Sequence, residues 1–243
     1  MSIDKAFTKD NLDACLRQLA KEFRRLNGTA VPAEIILVGG AAVLVNYGFR
    51  DMTYDVDALI QASSSMKDAI NRVGDALGLP NAWLNSDFTR TSSYSPKLVQ
   101  FSKYYKTYSN VLTVRTVSGE YLVAMKLMSG RKFKNDISDI VGILREEKQA
   151  GTPISPEQID RAVCNLYGGW EQMPKDSIDL VKEILRNDDL DGLYAKYRST
   201  EQQTKSELIS FEENKPNALR EDNLGEILTA LRKKKSREEM ERY

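Results

Sequence analysis

The sequence contains no histidine and only two cysteines, Cys15 and Cys164. Without histidine there is no Ser-His-Asp or Cys-His nucleophile system and no histidine general base. The cysteines lie far apart in helix-like stretches and nothing has zinc-ligand spacing, so both are expected to be buried, reduced thiols. An excess of one charge is also lacking. Lys and Arg number 35 and Asp and Glu number 35, which removes the global basic footprint of many nucleic-acid binders and leaves only a local patch open. No run of about 18 apolar residues is present, so no membrane span is expected. The opening residues, MSIDKAFTKD, are charged and lack the apolar stretch of a signal peptide, so a cytoplasmic protein is expected. Gly-x-Gly-x-x-Gly is absent, as is a glycine-rich loop ending in Gly-Lys-Ser/Thr; the dinucleotide-binding and P-loop readings fail together.

What is present is a chain of 243 residues, 41% hydrophobic and 29% charged, the composition of an ordinary soluble protein of one large or two small domains. Apolar residues at helical spacing mark Thr8 to Leu26, with Thr8 as cap and Asn27-Gly28 as stop. Glu34 to Val38 reads as a short buried strand, Gly39-Gly40 as a turn and Ala41 to Tyr47 as a short helix. Tyr54 to Ile60 is the next strand, Ser65 to Leu77 a helix, and Lys97 to Tyr104 and Val111 to Val117 two further strands. From Gly119 the pattern turns helical: Glu120 to Arg131, Asn135 to Ala150 with Asn135 as cap, a helix from Ser155-Pro156, then Lys175 to Arg186 and Asp189 to Lys205. Leu208 to Glu221 reads as a linker or wrap-around arm, and Leu224 to Leu231 as a last amphipathic turn or two. The expected fold is α+β: a small mixed β-sheet core with flanking helices over residues 1–118, then a helical half over 119–243 that completes the site and ends in a mobile basic and acidic tail.

The stretch ILVGGAAVLVNYGFRDMTYDVDALI, Ile36 to Ile60, carries the chemistry. In a strand, residues two apart share a face, so Asp55 and Asp57 project together while Val56 enters the core. Two carboxylates on one face repel unless a cation lies between them. A hard divalent ion, above all Mg²⁺, takes oxygen ligands and suits such a pair. The strand, Gly-Gly and helix start supply the complementary half: backbone N–H groups approachable without side-chain obstruction, at a helix end that favours an anion. Gly39 and Gly40 are therefore candidates to hold phosphates, and Asp55 and Asp57 to hold the metal. A tight turn and an exposed strand end are the plain alternatives.

These residues resemble the nucleotidyltransferase superfamily with the DNA polymerase beta-type catalytic fold. Its pattern is an apolar residue and Gly-Gly or Gly-Ser, a spacer, then Asp-apolar-Asp/Glu-apolar, here Val38-Gly39-Gly40 and Asp55-Val56-Asp57-Ala58. The spacer of 14 residues is long, and the loop Phe49-Arg50-Asp51-Met52 accounts for the extra length. The superfamily often has a third carboxylate on a following strand, but neither KLVQFSKYY nor VLTVRTV contains an acid. The stretch GEYLVAMKLMSGRKFKNDISDIVGIL is similar to the abortive-infection (AbiEii-like) toxin nucleotidyltransferases of bacterial toxin–antitoxin systems. There a helix lysine is followed by a downstream Asp, matched by Lys126 and Asp136, with Asp139 one turn on. The resemblance covers residues 30–145. It implies Mg²⁺-dependent transfer of a nucleoside monophosphate from an NTP to an RNA (tRNA 3′ end) or to a protein hydroxyl, and a cognate antitoxin as partner. A nucleotidyltransferase-like protein that only binds through a partner is the alternative class, and an unrelated interaction domain a third.

Read by their own chemistry, the same residues give compatible roles. A lysine in LVAMKLM needs an anion or a route to water, and triphosphate oxygens would suit Lys126. Arg131, Lys132 and Lys134 form a small basic cluster able to touch phosphate or RNA, or else a solvated helix end. Asp136 is read as base for the incoming hydroxyl, as a missing metal ligand, or as a helix-start acid. The mixed basic and aromatic stretch SKYYKTYSNVLTVR fits single-stranded nucleic acid or an edge strand. The basic run from Arg232 to Arg237 is followed by acids in helical register and needs no partner.

Overall fold

A computed structural model describes residues 6–130, 136–216, 218–219 and 223–240, and not the side chains of Arg232 and of residues 234–240. Helix α1 (Lys9–Asn27) opens with a capping box between Thr8 and Asn11 and ends at Gly28. It buries Leu12, Cys15, Leu16, Leu19 and Phe23. Strand β1 (Ala33–Leu37), helix α2 (Gly39–Asn46), strand β2 (Val56–Gln61), helix α3 (Ser65–Leu77) and the two-residue strand β3 (Leu84–Asn85) follow. A 3₁₀ turn over Pro96–Phe101 leads into the hairpin of β4 (Ser102–Tyr108) and β5 (Leu112–Val117). The helical half comprises α4 (Gly119–Ser129), α5 (Asp136–Gln149), α6 (Pro156–Tyr167), α7 (Lys175–Leu185), α8 (Leu190–Asn214) and α9 (Leu224–Met240). The fold is α+β.

The five strands lie in the order β3-β2-β1-β5-β4. β1 is the centre, antiparallel to β2 and parallel to β5. Ile35, Ile36 and Leu37 are all fully buried, so both faces of this strand are covered, and alternation of polar and apolar residues would be wrong here. The topology decides where the chemistry collects. β1 ends where β2 begins: Leu37 pairs with Ala58, and the Val38 N–H donates to the Asp57 carbonyl at 3.0 Å. The Gly-Gly turn and the Asp-Val-Asp segment are thereby side by side. β5 runs parallel to β1, so it delivers the chain into α4, and hence Lys126, from the same end of the sheet.

Several expectations need correction. The strand expected over Lys97 to Tyr104 begins at Ser102, because Pro96 starts a 3₁₀ turn that buries Leu98. The expected linker from Leu208 is helical as far as Asn214; α8 runs 25 residues because Glu201 and Thr204 are buried and tie it to the rest of the molecule. The last helix extends to Met240. Cys15 is buried, but Cys164 is exposed, on the side of α6 away from buried Ile159, Ala162, Val163 and Leu166. β4 is a sheet edge, and Lys106 and Tyr108 are both spent on Asp13, at 2.6 and 2.7 Å.

Candidate active site

Gly39 has a positive φ of 54°, a conformation that L side chains adopt at a cost. A Cβ there would sit 3.4 Å from Asp57 Oδ2, so carboxylate and turn adjoin directly. β2 starts at Val56; Asp55 therefore stands in the lead-in, exposed, while Asp57 is half-buried on the strand. The lead-in is held from behind. Thr53 exchanges two backbone hydrogen bonds with Phe7, and its hydroxyl donates to the Asp55 carbonyl at 3.2 Å. Phe7 in turn stacks on Trp83, just before β3.

Lys126 lies in a helix buried on nearly every side and is only 7% exposed. Its ammonium meets Asp136 Oδ1 at 2.9 Å and Asp139 Oδ2 at 2.7 Å. Burial works against the charge, but the two carboxylates outweigh it and the pKa is raised, so the group stays cationic. Asp139, 1% exposed, also pairs with Arg50. Among the described residues, Lys126, Asp136 and Asp139 thus form a buried charged group that the half-buried Arg50 joins through Asp139. Ser129 Oγ donates to the other oxygen of Asp136 at 2.9 Å. From α8, Glu201 Oε1 accepts the backbone N–H groups of Ile137 and Ser138 at 3.2 and 3.1 Å, holding the first turn of α5. Its Oε2 is buried without a hydrogen-bond partner among the described residues, and burial raises its pKa.

One cleft of about 230 Å³ gathers Gly39, Asp55, Asp57, Lys126 and Asp136 from four separate segments of the chain. Gly40 is beside it but under Arg50 and Thr53 rather than on its wall. Arg131, with Lys132, Lys134 and the expected cap Asn135, lies outside the described residues. The opposite wall was not foreseen: Asn85, which pairs with Asp57 across β3 and β2, then Asp87, Thr91 and Ser93. The only local signal for it was the short apolar pair Trp83-Leu84 between turn residues. Arg50 and Glu201 were missed as well, and neither has a local signal. A second cavity of about 400 Å³ adjoins the first beyond Lys126 and Asp136, walled by α7.

A family model described as nucleotidyltransferase of unknown function (DUF6036) matches residues 14–145, more than half of the chain. The chain belongs to this family. The superfamily expected from the glycine and aspartate motifs is therefore the right one, and the match includes all the cleft's candidate residues from Gly39 to Asp136. Comparison with curated proteins and with solved structures finds no match. Among the described residues no three acidic or cysteine side chains converge as a metal cage. Asp55 and Asp57 give the cleft two carboxylates, an oxygen donor chemistry that would fit a hard divalent cation such as Mg²⁺.

Proposed function

We propose that this nucleotidyltransferase moves a nucleoside monophosphate from an NTP to an acceptor hydroxyl with release of pyrophosphate, using Mg²⁺ at Asp55 and Asp57. The observation that carries the reading is the single cleft uniting Gly39, Asp55, Asp57, Lys126 and Asp136. The metal would supply charge neutralisation on the transferring phosphoryl group. Asp55 and Asp57 would bind it from adjoining positions, and the open turn at Gly39 would admit the phosphates. At about 230 Å³ the cleft is smaller than the ~300–1,000 Å³ of pockets that enclose a whole small ligand, and fits the phosphate end of a nucleotide. Lys126 would add positive potential from the wall while remaining bound to its two acids. Asp136 would accept the proton of the incoming hydroxyl; Ser129's hydroxyl, which now holds one of its oxygens, can rotate away, whereas Lys126 is buried in place.

The residue spacing of Lys126, Asp136 and Asp139 supports placement near the AbiEii-like toxins, and with it an RNA acceptor such as a tRNA 3′ end, a protein hydroxyl as the other acceptor, a cognate antitoxin and a cytoplasmic setting. One observation favours a second reading, a binding protein without turnover: Lys126 is already engaged by two carboxylates. The decisive experiment is incubation with each α-labelled NTP, Mg²⁺ and total bacterial RNA, beside the Asp55→Ala/Asp57→Ala variant. Label entering RNA or protein, and lost in the variant, supports transfer and names base and acceptor. No label with a folded variant sinks it in favour of binding alone.

A further inference from the structure

Phosphate approach accounts for Gly39 but not for Gly40. A Cβ on Gly40 would lie 2.6 Å from Thr53 Oγ1, 2.9 Å from Arg50 Nη2 and 3.2 Å from Arg50 Cζ. The space that the missing side chain leaves is filled largely by a guanidinium. Arg50 comes from the long loop between α2 and β2. Its neighbour Phe49 is seated on α5 at Gly142, where a Cβ would come 2.6 Å from the ring. The Phe49 ring also packs between Tyr47 and Tyr194, with centroids at 5.8 and 5.7 Å. With Phe49 fixed there, Arg50 reaches one helical turn back along α5 to Asp139 Oδ2, the oxygen that Lys126 also holds. Its Nε donates to the Met52 carbonyl at 3.1 Å. The guanidinium is therefore bonded on two sides, to Asp139 and to the Met52 carbonyl, and its Nη2 edge lies over Gly40.

We infer that Arg50 is a positioning residue: it pins the Gly39-Gly40 turn to Asp139 and, through the shared carboxylate oxygen, to Lys126. The two walls of the cleft then keep one spacing. An arginine is required because its planar fork presents Nε, Nη1 and Nη2 in fixed relation, whereas a lysine at this position could reach Asp139 or cover Gly40 but not both. The consequence for catalysis rests on the transfer reading; the pin itself does not.

The test is heteronuclear NMR of the full chain, following the Gly39 amide and the Asp139 carboxyl carbon in Arg50→Lys, Gly40→Ala, Arg50→Ala and Gly40→Ala/Arg50→Ala. Arg50→Lys and Gly40→Ala should each shift both signals while those of α3 stay in place. Gly40→Ala should no longer move Asp139 once Arg50 is alanine, although the crowding with Thr53 persists. Gly40→Ala leaving Asp139 unmoved, or moving it equally with and without Arg50, overturns the pin. Should Arg50→Ala fail to fold, Arg50→Lys and Gly40→Ala decide alone, since either leaving one of the two signals in place breaks the coupling. In parallel, binding of MgATP, MgGTP, MgCTP and MgUTP is titrated by fluorescence. Arg50→Lys should weaken whichever binds by about tenfold, the scale of losing a residue that orients a ligand-holding group. Unchanged affinity overturns the catalytic consequence. If the wild-type chain binds none of the four, the transfer reading fails, and the pin is judged by the resonances.

Discussion

Two pairs of aspartates in the molecule sit in different surroundings. Asp136 and Asp139 are buried and face cations that the chain itself supplies, Lys126 and Arg50. Asp55 is exposed, and among the described residues its carboxylate meets the Thr53 hydroxyl and no cation; Asp57 shares its cleft. A buried carboxylate must be neutralised when the protein folds, because the desolvation cost is several kcal/mol for each ion. A carboxylate open to a cleft can wait for an ion from solution. On the proposed reading the outer pair would hold the metal, whereas the inner acids sit in ion pairs that also support the fold, and mutations should separate the two contributions.

The largest effect is expected at the outer pair. Asp55→Asn or Asp57→Asn should cut nucleotidyl transfer by on the order of 10²–10³-fold, as loss of one preorganised electrostatic group does, with thermal unfolding little changed. A large fall in melting temperature would break the comparison. At the inner pair the expectation is reversed. Lys126→Met removes the ammonium that Asp136 and Asp139 share and should cost ~3–5 kcal/mol in denaturant unfolding, the range for breaking a buried ion pair. A neutral outcome would mean that water reaches these acids. Ligand binding sharpens the contrast: if Mg²⁺ with the correct NTP binds at the outer pair, saturation to 100 times the dissociation constant should add about 2.7 kcal/mol to the wild type and nothing to Asp55→Ala/Asp57→Ala.

Glu201 gives the smallest and most specific test. Glu201→Ala strips two amides of α5 of their acceptor and should cost about 1–3 kcal/mol. Glu201→Gln keeps an acceptor and removes the charge. Because burial raises the folded pKa above 4.5, the native state holds its proton more tightly than the unfolded chain. Glu201's contribution is then most favourable at or below about pH 4.5 and is lost as pH rises through the folded value. Glu201→Gln should therefore gain melting temperature over wild type at pH 7, and the gain should shrink towards pH 4.5. Equal melting curves at both pH values would mean that Glu201 titrates normally.

Local signals made much of this readable. Thr8 and Ser155 cap the helices expected of them, both with capping boxes, and Gly28 and Gly78 end theirs. The order of strand, Gly-Gly, helix and Asp-Val-Asp led to the correct superfamily. What failed has physical causes. Pro96 to Phe101 has apolar residues that suit a strand but adopts a 3₁₀ turn, because Pro96 favours its start and the turn buries Leu98. β3 is two residues long and exists only because β2 offers it an edge. Lys126 was legible as a lysine needing an anion, but the acids that answer it lie across a helix–helix contact. Asp139 finds Arg50 at a separation of 89 residues, and Glu201 finds the Ser138 amide at 63.

The sequence alone determined most of the longer elements, the excluded chemistries and the residue types expected at the site, because backbone periodicity, capping and glycine conformation act over a few residues. Only the tertiary structure decided which charges neutralise one another and which are left to face the cleft. Burial and charge pairing depend on distances between side chains, and those distances do not exist until the sheet and the helices have closed around them.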